Sequence, residues 1–422
     1  MDASPHVIII GAGIVGTSTA IWLQRAGHRV TVVDRLGPAG GASFGNAGVL
    51  AAASVVPVTV PGILAKAPAM LFGRDGPLFL RWGHVPRLVP FLARYLSHAT
   101  VEAVERAAPA LSLLLHDTAE QHAALAAGTG AEAFVEPGDY VFGYRDRAAF
   151  EADAFGWGMR RKHGHAFEPM ERDAFAAYDP VLGSRFGFGV RCPDHGRVSD
   201  PGAYVKALAA HVEREGGRFV TAEVVDVALA DGRATGIVTT DGPLEADHVV
   251  LTAGVRSGPL MKKLGLSIPM AAERGYHVEF LDPSIVPRSP TMVAAGKFVL
   301  SPMEGRLRAA GIVEFGGTDD GRSQAPLELL KRQTKRLLPD LEYSETREWM
   351  GHRPATADSL PVIGEAAAPN VWCGFGHQHI GLSGGPKTGR WLADFIAGRR
   401  PNADLAPFRA DRFGKRVSGR LP

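Results

Sequence analysis

The sequence predicts an α/β fold in which a Rossmann-type nucleotide-binding domain is interleaved with a second domain. A strand, a glycine-rich turn, a helix and a second strand open the chain. Further apolar strands that end in glycine appear only much later, after a long stretch that is richer in aromatic residues and in helical patterns. The 422 residues exceed the size at which one hydrophobic core stops growing, so we expect more than one domain.

Composition excludes several classes of function. The formal net charge is only +2, with no basic stripe, which argues against a nucleic-acid partner. Cys192 and Cys373 are the two cysteines, too few for a disulfide framework and without a Cys-x-x-Cys pair. We therefore predict no metal site. The absence of a basic, apolar leader predicts a cytoplasmic protein.

The first 34 residues have the order of a βαβ unit. The β-branched run His6–Ile10 predicts a buried parallel strand, residues 17–26 predict a helix, and Arg29–Asp34 predicts the second strand. Gly27 stands where a helix commonly ends. A unit of about 30 residues has the expected size for this motif.

The turn inside this unit carries a nucleotide-binding pattern. Gly11 permits a tight turn, Gly13 lets the backbone approach a pyrophosphate, and Gly16 lets the helix lie close to the sheet. Asp34 ends the next strand, where its carboxylate would accept the ribose hydroxyls, and Arg35 would approach the adenosine. The helix start presents free N–H groups to the phosphates. Ile14 and Val15, within the glycine-rich turn, are also predicted cofactor contacts.

Two further elements favour FAD over NAD. A second glycine-rich loop spans residues 40–48, where small residues and backbone donors suit close approach to a flavin. A buried strand at 246–254 ends in Thr-Ala-Gly beside the expected dinucleotide. The predicted contacts in these elements are Ser43, Asn46, Ala47, Gly48, Ala253 and Gly254.

The remaining segments predict helices and strands in alternation. Helical patterns cover 87–96, 103–127, 200–217, 324–338 and 387–397, and strands cover 139–144, 218–227 and much of 268–317. Asp231-Gly232 and Asp241-Gly242 predict hairpin turns. Residues 48–72 are apolar, but three prolines interrupt them, so we interpret them as buried loop and core and leave open a peripheral membrane contact.

Four stretches together resemble the D-amino acid oxidase superfamily of flavoproteins, and within it the bacterial D-amino acid dehydrogenase small-subunit group. They are residues 7–34, Ser43-Phe-Gly-Asn-Ala-Gly48, Glu273-Arg-Gly-Tyr-His277, and residues 351–364 together with 374–381. The last is the most specific, and the resemblance covers nearly the whole chain.

This resemblance implies a discontinuous FAD-binding domain, residues 1–56, 199–267 and 346–422, and an α+β substrate domain, residues 57–198 and 268–345, built on a large mixed sheet. It also implies hydride transfer from the α-carbon of a D-amino acid to flavin N5. The imine then hydrolyses to a keto acid, and electrons pass to a quinone or other acceptor. With no cysteine before Arg353 in its motif, we predict noncovalent FAD.

The same resemblance assigns candidate catalytic residues. Arg353, in Gly-x-Arg-Pro, would grip the substrate carboxylate through two parallel hydrogen bonds. Tyr276 would assist it, and the next residue would point to the opposite face of the strand. His352, His377 and His379 would face either the ligands or the core. Further predicted cofactor contacts are Val224, Gly351, Gly376, His377, Gly381 and Leu382.

Several alternatives stay open. Gln378 replaces a more usual glycine, and Ser383 begins a turn that replaces a threonine-containing one, which affects the pocket shape and hence the substrate. Cyclic imino acids such as D-proline, a glycine- or sarcosine-type oxidase reaction, and a noncatalytic flavin-bound subunit are alternatives. A homo-oligomer and association with the inner face of the membrane are also open.

Overall fold

A computed structural model describes residues 4–366 and 368–414. The strands are β1 His6–Ile10, β2 Arg29–Asp34, β3 Val49–Leu50, β4 Leu78–Leu80, β5 Val135–Tyr144, β6 Glu168–Glu171, β7 Phe188–Val198, β8 Arg218–Thr221, β9 Val224–Ala230, β10 Arg233–Thr239, β11 Gly242–Glu245, β12 His248–Leu251, β13 Met270–Leu281, β14 Thr291–Val293, β15 Phe298–Met303, β16 Arg306–Phe315, β17 Thr346–Thr356, β18 Val362–Glu365 and β19 Val371–Phe375. The helices are α1 Ile14–Arg25, α2 Ile63–Phe72, α3 Val85–Ser97, α4 Val101–Leu115, α5 Thr118–Ala126, α6 Arg147–Glu151, α7 Ala154–Lys162, α8 Arg172–Tyr178, α9 Pro201–Arg214, α10 Ser257–Lys263, α11 Gln324–Leu337 and α12 Gly381–Ile396.

A six-stranded sheet carries the predicted βαβ unit. Its strand order is β18-β19-β12-β1-β2-β8, and β1 pairs in parallel with both β2 and β12. Four of the five residues of β1 are buried, as expected of a strand covered on both faces. The three chain segments that meet in this sheet are far apart in the sequence, which confirms the α/β fold with a Rossmann-type unit.

The hairpins predicted at the two Asp-Gly pairs form a small separate sheet of order β11-β10-β9. Asp231 and Gly232 both have positive φ, 50° and 75°, which a tight two-residue turn requires. The predicted strand at 218–227 is interrupted: its first part is β8 in the six-stranded sheet, and its last residues begin β9 in the small sheet.

A ten-stranded mixed sheet forms the second layer. Its main order is β17-β13-β16-β15-β14-β5-β7-β3, with β4 paired to β16 and β6 to β7. Two of its strands, β3 and β17, lie inside segments that we predicted to belong to the FAD-binding domain. The domain boundaries stay a prediction, and residues 1–3, 367 and 415–422 of the predicted segments lie outside the described residues.

The prediction of one helix at 103–127 and the interpretation of residues 48–72 as buried loop and core were both wrong in detail. The pattern at 103–127 is two helices, α4 and α5, separated at residues 116–117. Residues 48–72 are not all buried loop and core, because Ile63–Phe72 forms α2, in which no residue is buried. Pro68 sits within this exposed helix. In the described part of the chain, no helix is long and apolar enough to cross a membrane.

Helix α12 begins at Gly381, six residues before the predicted start, because its early glycines and Pro386 hid the helical pattern. Pro386 has no N–H to donate to the carbonyl of Leu382, four residues earlier. The ring of His122 in α5 fills this gap: its Nε2 donates to Leu382 O at 2.9 Å. Burial lowers the pKa of His122 to about 4, so the ring is neutral at pH 7.

Replacing His122 with alanine should therefore lower the free energy of unfolding by about 1–3 kcal/mol, because the Leu382 carbonyl would be buried without a donor. Denaturant unfolding measures this change. In a Pro386→Ala background, the new N–H of residue 386 supplies the missing donor, so the same substitution should cost less. Equal losses in both backgrounds would show that the ring does not serve this carbonyl.

Candidate functional site

A cavity of about 650 Å³ opens at the carboxyl ends of the parallel strands β1, β2, β12 and β19. This edge of an open α/β sheet is where ligands commonly bind. The cavity volume lies within the usual range for small-molecule and cofactor sites, roughly 300–1,000 Å³.

Most of the predicted cofactor residues line this cavity, and so does His352. The lining includes Gly11, Gly13, Ile14, Val15, Asp34, Arg35, Ser43, Asn46, Val224, Ala253, Gly254, Gly351, Gly376, His377, Gly381 and Leu382. Gly16, Ala47 and Gly48 are not in its lining. Gly16 contributes indirectly: a Cβ there would lie 1.9 Å from the carbonyl oxygen of Gly11, so only glycine lets the helix pack this close to the turn that lines the cavity.

Asp34 fixes the backbone that faces the cavity. Its Oδ2 accepts from the N–H of Ala12 at 2.9 Å, and its Oδ1 accepts from the N–H of Leu36 at 2.7 Å. Gly11 has φ +110°, which L side chains rarely adopt. The carboxylate therefore shapes the turn and still presents oxygen lone pairs to a ribose at the cavity edge.

The start of α1 and the loop at 43–48 form the rest of the cradle. Ser43 Oγ accepts from the N–H of Ile14 at 3.0 Å, which joins the loop to the first turn of the helix. A Cβ on Gly13 would lie 3.0 Å from the same Oγ, so a larger residue here would push against the Ser43 hydroxyl. Helix N–H groups beside a hydroxyl suit a phosphate.

A buried ion pair, which the sequence analysis missed, holds this loop from the ten-stranded sheet. Arg308 is fully buried, donates to the carbonyls of Phe44 and Asn46, and pairs with Glu279 at 2.7 Å. Glu279 and Arg308 lie opposite each other on β13 and β16. Only the strand register brings them together, so no local motif could have indicated them.

The fit to a dinucleotide is supported by an unpaired polar atom. His352 lines the cavity, and its buried Nε2 has no hydrogen-bond partner among the described residues. A buried polar atom without a partner costs free energy unless a ligand or water satisfies it. The glycine cradle, Asp34, the helix start and this atom together fit FAD.

The two faces of β13 differ in what they contact. Tyr276 is buried in the core; its hydroxyl donates to Glu314 at 2.6 Å and accepts from the N–H of Ser323. His277 points to the opposite face, where its Nδ1 lies 3.2 Å from Gly45 O. The prediction that these neighbours face opposite sides is confirmed. The prediction that the Tyr276 hydroxyl assists the substrate is wrong in this structure, because the hydroxyl is engaged on the core side.

Trp349 is a further cavity residue that the sequence analysis missed. Its ring stacks on His277 with centroids 5.1 Å apart. A Cβ on Gly45 or on Gly351 would lie about 2 Å from this ring, at 1.9 and 2.1 Å. These two glycines therefore make the space that the indole occupies.

The side chain of Arg353 crosses β13 and contacts mainly backbone atoms. Its guanidinium lies over Gly275, where a Cβ would be 2.5 Å from its Cζ. Its Nη2 donates to Gly311 O at 3.1 Å, and its Nη1 lies 3.4 Å from Ile312 O. Ile312 has φ +48° at a bulge in β16, a strained conformation for a β-branched residue that costs about 1–3 kcal/mol. The bulge turns two carbonyls towards the arginine.

The loop after β19 places its two histidines differently. Thr388 Oγ1 donates to Gly384 O, so it accepts from His377 Nε2 at 2.9 Å, which turns the His377 ring towards α12. His379 is exposed, although the surrounding protein lowers its pKa to about 4 by desolvation, with the charge of Arg353 acting in the same direction. The preceding residue, Gln378, donates its N–H to Pro354 O at 3.1 Å, so this loop runs beside β17.

The two departures from the family pattern have structural explanations. Gln378 has φ +47°, the region that glycine favours, and its side-chain amide donates to Thr356 O at 3.2 Å. Ser383 Oγ donates to Val49 O and accepts from the N–H of Ala51, so it joins α12 to β3. Gln378 lines the cavity, whereas Ser383 does not.

Both cysteines are buried and unreactive in character. Burial raises the pKa of Cys192 to about 12 and raises the pKa of Cys373 further. Cys373 contacts Met261. A thiol that stays protonated is a poor nucleophile, so neither cysteine is suited to tether a flavin.

Comparison with known proteins identifies the family. The family model described as DAO, FAD dependent oxidoreductase, matches residues 6–395. A D-amino-acid oxidase of Bradyrhizobium diazoefficiens is 39% identical over 98% of this chain and 100% of that protein. A D-amino acid dehydrogenase of Paramagnetospirillum magneticum is 32% identical over 96% and 98%.

Solved structures give the same fold. Glycine oxidase from Geobacillus kaustophilus superposes with a TM-score of 0.74 at 23% identity, covering 97% of this chain and 99% of that one. Iminodiacetate oxidase from Chelativorans sp. BNC1 has a TM-score of 0.72 at 21% identity, covering 96% and 98%. The chain is an FAD-dependent oxidoreductase. It belongs to the DAO family.

Replacing Asp34 with alanine should raise the dissociation constant for FAD at least tenfold, because both the turn and the ribose contact lose a carboxylate. The flavin-to-protein ratio after gel filtration measures retention. Acid precipitation should release all of the yellow colour, because the cofactor is predicted to be noncovalent. Asp340→Ala, at an exposed carboxylate paired with Arg185, is the control and should keep full flavin. Retention equal to that control would contradict the role of Asp34.

Proposed function

We propose that this enzyme oxidatively deaminates a D-amino acid, with Arg353 binding the substrate carboxylate. The names of its relatives at 39% and 32% identity over nearly full length support the substrate class. The observation that carries the assignment of Arg353 is that, unlike other arginines of the large sheet, it forms no ion pair within the described part of the chain. The cofactor, FAD, follows from membership of the family.

Three arginines of the ten-stranded sheet can be compared directly. Arg274 pairs with Glu314 at 2.8 Å, and Arg308 pairs with Glu279 at 2.7 Å, both with their side chains fully buried. Arg353 instead donates to two backbone carbonyls and makes no ion pair with an acid in the described part of the chain. A partly buried guanidinium without a bonded carboxylate is suited to a carboxylate ligand.

His379 is the group best placed to contact the amino group of a substrate that binds as the free amine. Its lowered pKa keeps the ring neutral at pH 7, so one ring nitrogen can accept a hydrogen bond from that amine. The N–H of Gln378, the residue before His379, donates to the carbonyl of Pro354, the residue after Arg353, at 3.1 Å, so the loop that carries this imidazole runs beside Arg353. An amino acid held at Arg353 by its carboxylate would therefore present its amino group in the neighbourhood of this imidazole.

Bound FAD would supply the two-electron oxidation of the Cα–N bond. The amino acid loses two electrons and two protons and becomes an imino acid, which water hydrolyses to a keto acid and ammonia. The protein's own contribution is to fix the carboxylate, to accept a hydrogen bond from the amino group and to orient the α-carbon.

The alternatives concern the substrate and the electron acceptor. A cyclic imino acid such as D-proline, or glycine or sarcosine, would use the same cation for its carboxylate. Anaerobic mixing with a panel of D- and L-amino acids, prolines, glycine and sarcosine identifies the substrate by bleaching of the flavin. Admitting air separates an oxidase from a dehydrogenase that needs a quinone or similar acceptor. No bleaching by any of them would favour the noncatalytic subunit.

Arg353→Ala should raise the substrate concentration for half-maximal bleaching about a hundredfold or more, because the carboxylate loses two charge-assisted hydrogen bonds. Arg353→Lys should recover only part of that loss, since an ammonium cannot bind in the same planar way. The measurement is the anaerobic titration with the best substrate of the panel.

Arg347→Ala is the matched control for this prediction. Arg347 lies on the same strand, is exposed, and pairs only with Glu345 in the described chain. Each variant is checked for flavin content and thermal midpoint. A titration curve for Arg353→Ala that matches the control would contradict the proposal.

We further propose that α2 and its surroundings carry the peripheral membrane contact. Phe72 and Trp82 are 72% and 65% exposed, and their rings stack with centroids 6.4 Å apart. Leu64 adds to this apolar surface, and Lys66 is the one charged residue of α2. A contiguous exposed apolar surface is uncommon unless it contacts something.

The double variant Phe72→Ser, Trp82→Ser should reduce co-sedimentation with anionic lipid vesicles at least fivefold, because it removes the two largest apolar side chains of the surface. Tyr343→Ser removes an exposed aromatic elsewhere and should leave vesicle binding unchanged. No binding by the unmodified protein, or equal binding by the double variant, would contradict the membrane contact.

A further inference from the structure

A buried carboxylate lies beside the proposed substrate-binding cation. Glu273 on β13 is directly opposite Arg353 on β17 in the strand register. Side chains of directly opposed residues lie on the same face of the sheet, with Cβ atoms about 5 Å apart. Glu273 is 4% exposed, so it is a carboxylate removed from water next to a guanidinium.

The Glu273 carboxylate has little hydrogen bonding from its surroundings. Its hydrogen bond in the described chain is a long one of 3.4 Å, in which the hydroxyl of Tyr95 on α3 donates to Oε1. The Arg353 guanidinium extends away along the same face, over Gly275, to the carbonyls of Gly311 and Ile312. Glu273 is therefore near the cation but does not hold it in a close ion pair.

We propose that Glu273 is the internal counter-ion of Arg353 and takes up a proton when a substrate carboxylate binds there. This inference rests on the proposed function of Arg353. In the absence of ligand, Arg353 offsets the cost of an ionised, buried Glu273. Once a ligand carboxylate engages the guanidinium, two carboxylates share one cation, and the buried one becomes neutral because like charges in a desolvated site disfavour each other.

Burial and charge act on Glu273 in the direction that this inference requires. Desolvation raises the pKa of Glu273, and the charge of Arg353 opposes that rise. A ligand that neutralises Arg353 removes the opposing effect, so the pKa rises further. Affinity for a carboxylate is then highest at low pH, where Glu273 is already protonated in the ligand-free protein, and falls as pH rises from the pKa of the ligand-free state towards the higher pKa of the complex.

The other titratable groups around this pair do not change charge in the relevant range. Burial and the nearby Glu273 carboxylate raise the pKa of Tyr95 on α3 well above its ordinary value, so its hydroxyl stays neutral. His379, near Arg353, has its pKa lowered to about 4. On β16, the residue opposite Glu273 is Phe315, which does not titrate. Glu273 is thus the group whose protonation can link ligand binding to pH.

Calorimetry on the FAD-loaded protein with butyrate tests the inference, because butyrate carries a carboxylate but no amine to titrate. Titrations at about pH 5.5 to 9, where butyrate is ionised, are run in two buffers with different ionisation enthalpies. We expect proton uptake on binding, approaching one per site, and an affinity that falls up to tenfold per pH unit in the upper part of the range. Glu273→Gln, of nearly the same shape, should bind without proton uptake and with little pH dependence.

Two variants separate the possible failures. Glu348→Gln, on the same strand as Arg353 and paired with Arg322 and Lys331, is the control and should behave as the unmodified protein. Binding that Arg353→Ala abolishes, but that shows no proton uptake or the same pH dependence in Glu273→Gln, would overturn the role of Glu273 alone. Butyrate binding that survives Arg353→Ala, or an absence of any binding, would overturn the carboxylate site itself. The proton count on the unmodified protein decides the inference even if Glu273→Gln does not fold.

Discussion

The site depends on the register between β13 and β17. That register sets Gly275 opposite Gly351 and Glu273 opposite Arg353. The first pair leaves the space that the guanidinium and the Trp349 ring occupy, and the second sets a carboxylate beside a cation. A slip of one residue would exchange the faces of the whole strand and remove both arrangements at once.

β17 belongs to one sheet and lines the cavity at the other. It is an edge strand of the ten-stranded sheet, yet residues 349–352 and Pro354 line the cavity at the six-stranded sheet. Arg308 makes the reverse connection, from the large sheet to the loop at 43–48. The carbonyl of the strained Ile312 and the buried Arg308 both contact groups at this boundary, where a rigid arrangement helps to orient a ligand against its cofactor.

Features that depend only on neighbouring residues could be predicted from the sequence. The βαβ unit, its glycines and Asp34 follow a spacing in which each residue has a separate physical reason, and the cavity lies where that spacing put it. The start of α12 could not be seen, since Pro386 and the glycines oppose a helix unless His122, far away in the chain, supplies the missing donor.

Long-range pairings were beyond prediction for the same reason. Glu273 stood in the stretch that carried the family resemblance, but nothing local distinguishes it from an ordinary strand glutamate. Glu279 and Arg308 meet only through the register of β13 with β16. Tyr276 was placed on the correct strand and expected on the ligand side. Its hydroxyl bonds to Glu314, a residue almost 40 positions away, on the opposite face.

The most direct test of substrate binding at Arg353 is a crystal structure of the FAD-loaded, chemically reduced enzyme with a D-amino acid bound, since reduced enzyme cannot turn it over. We expect both carboxylate oxygens to accept hydrogen bonds from the guanidinium of Arg353, with the amino group directed towards His379. A carboxylate bound elsewhere, with Arg353 still donating only to the carbonyls of Gly311 and Ile312, would contradict this binding mode.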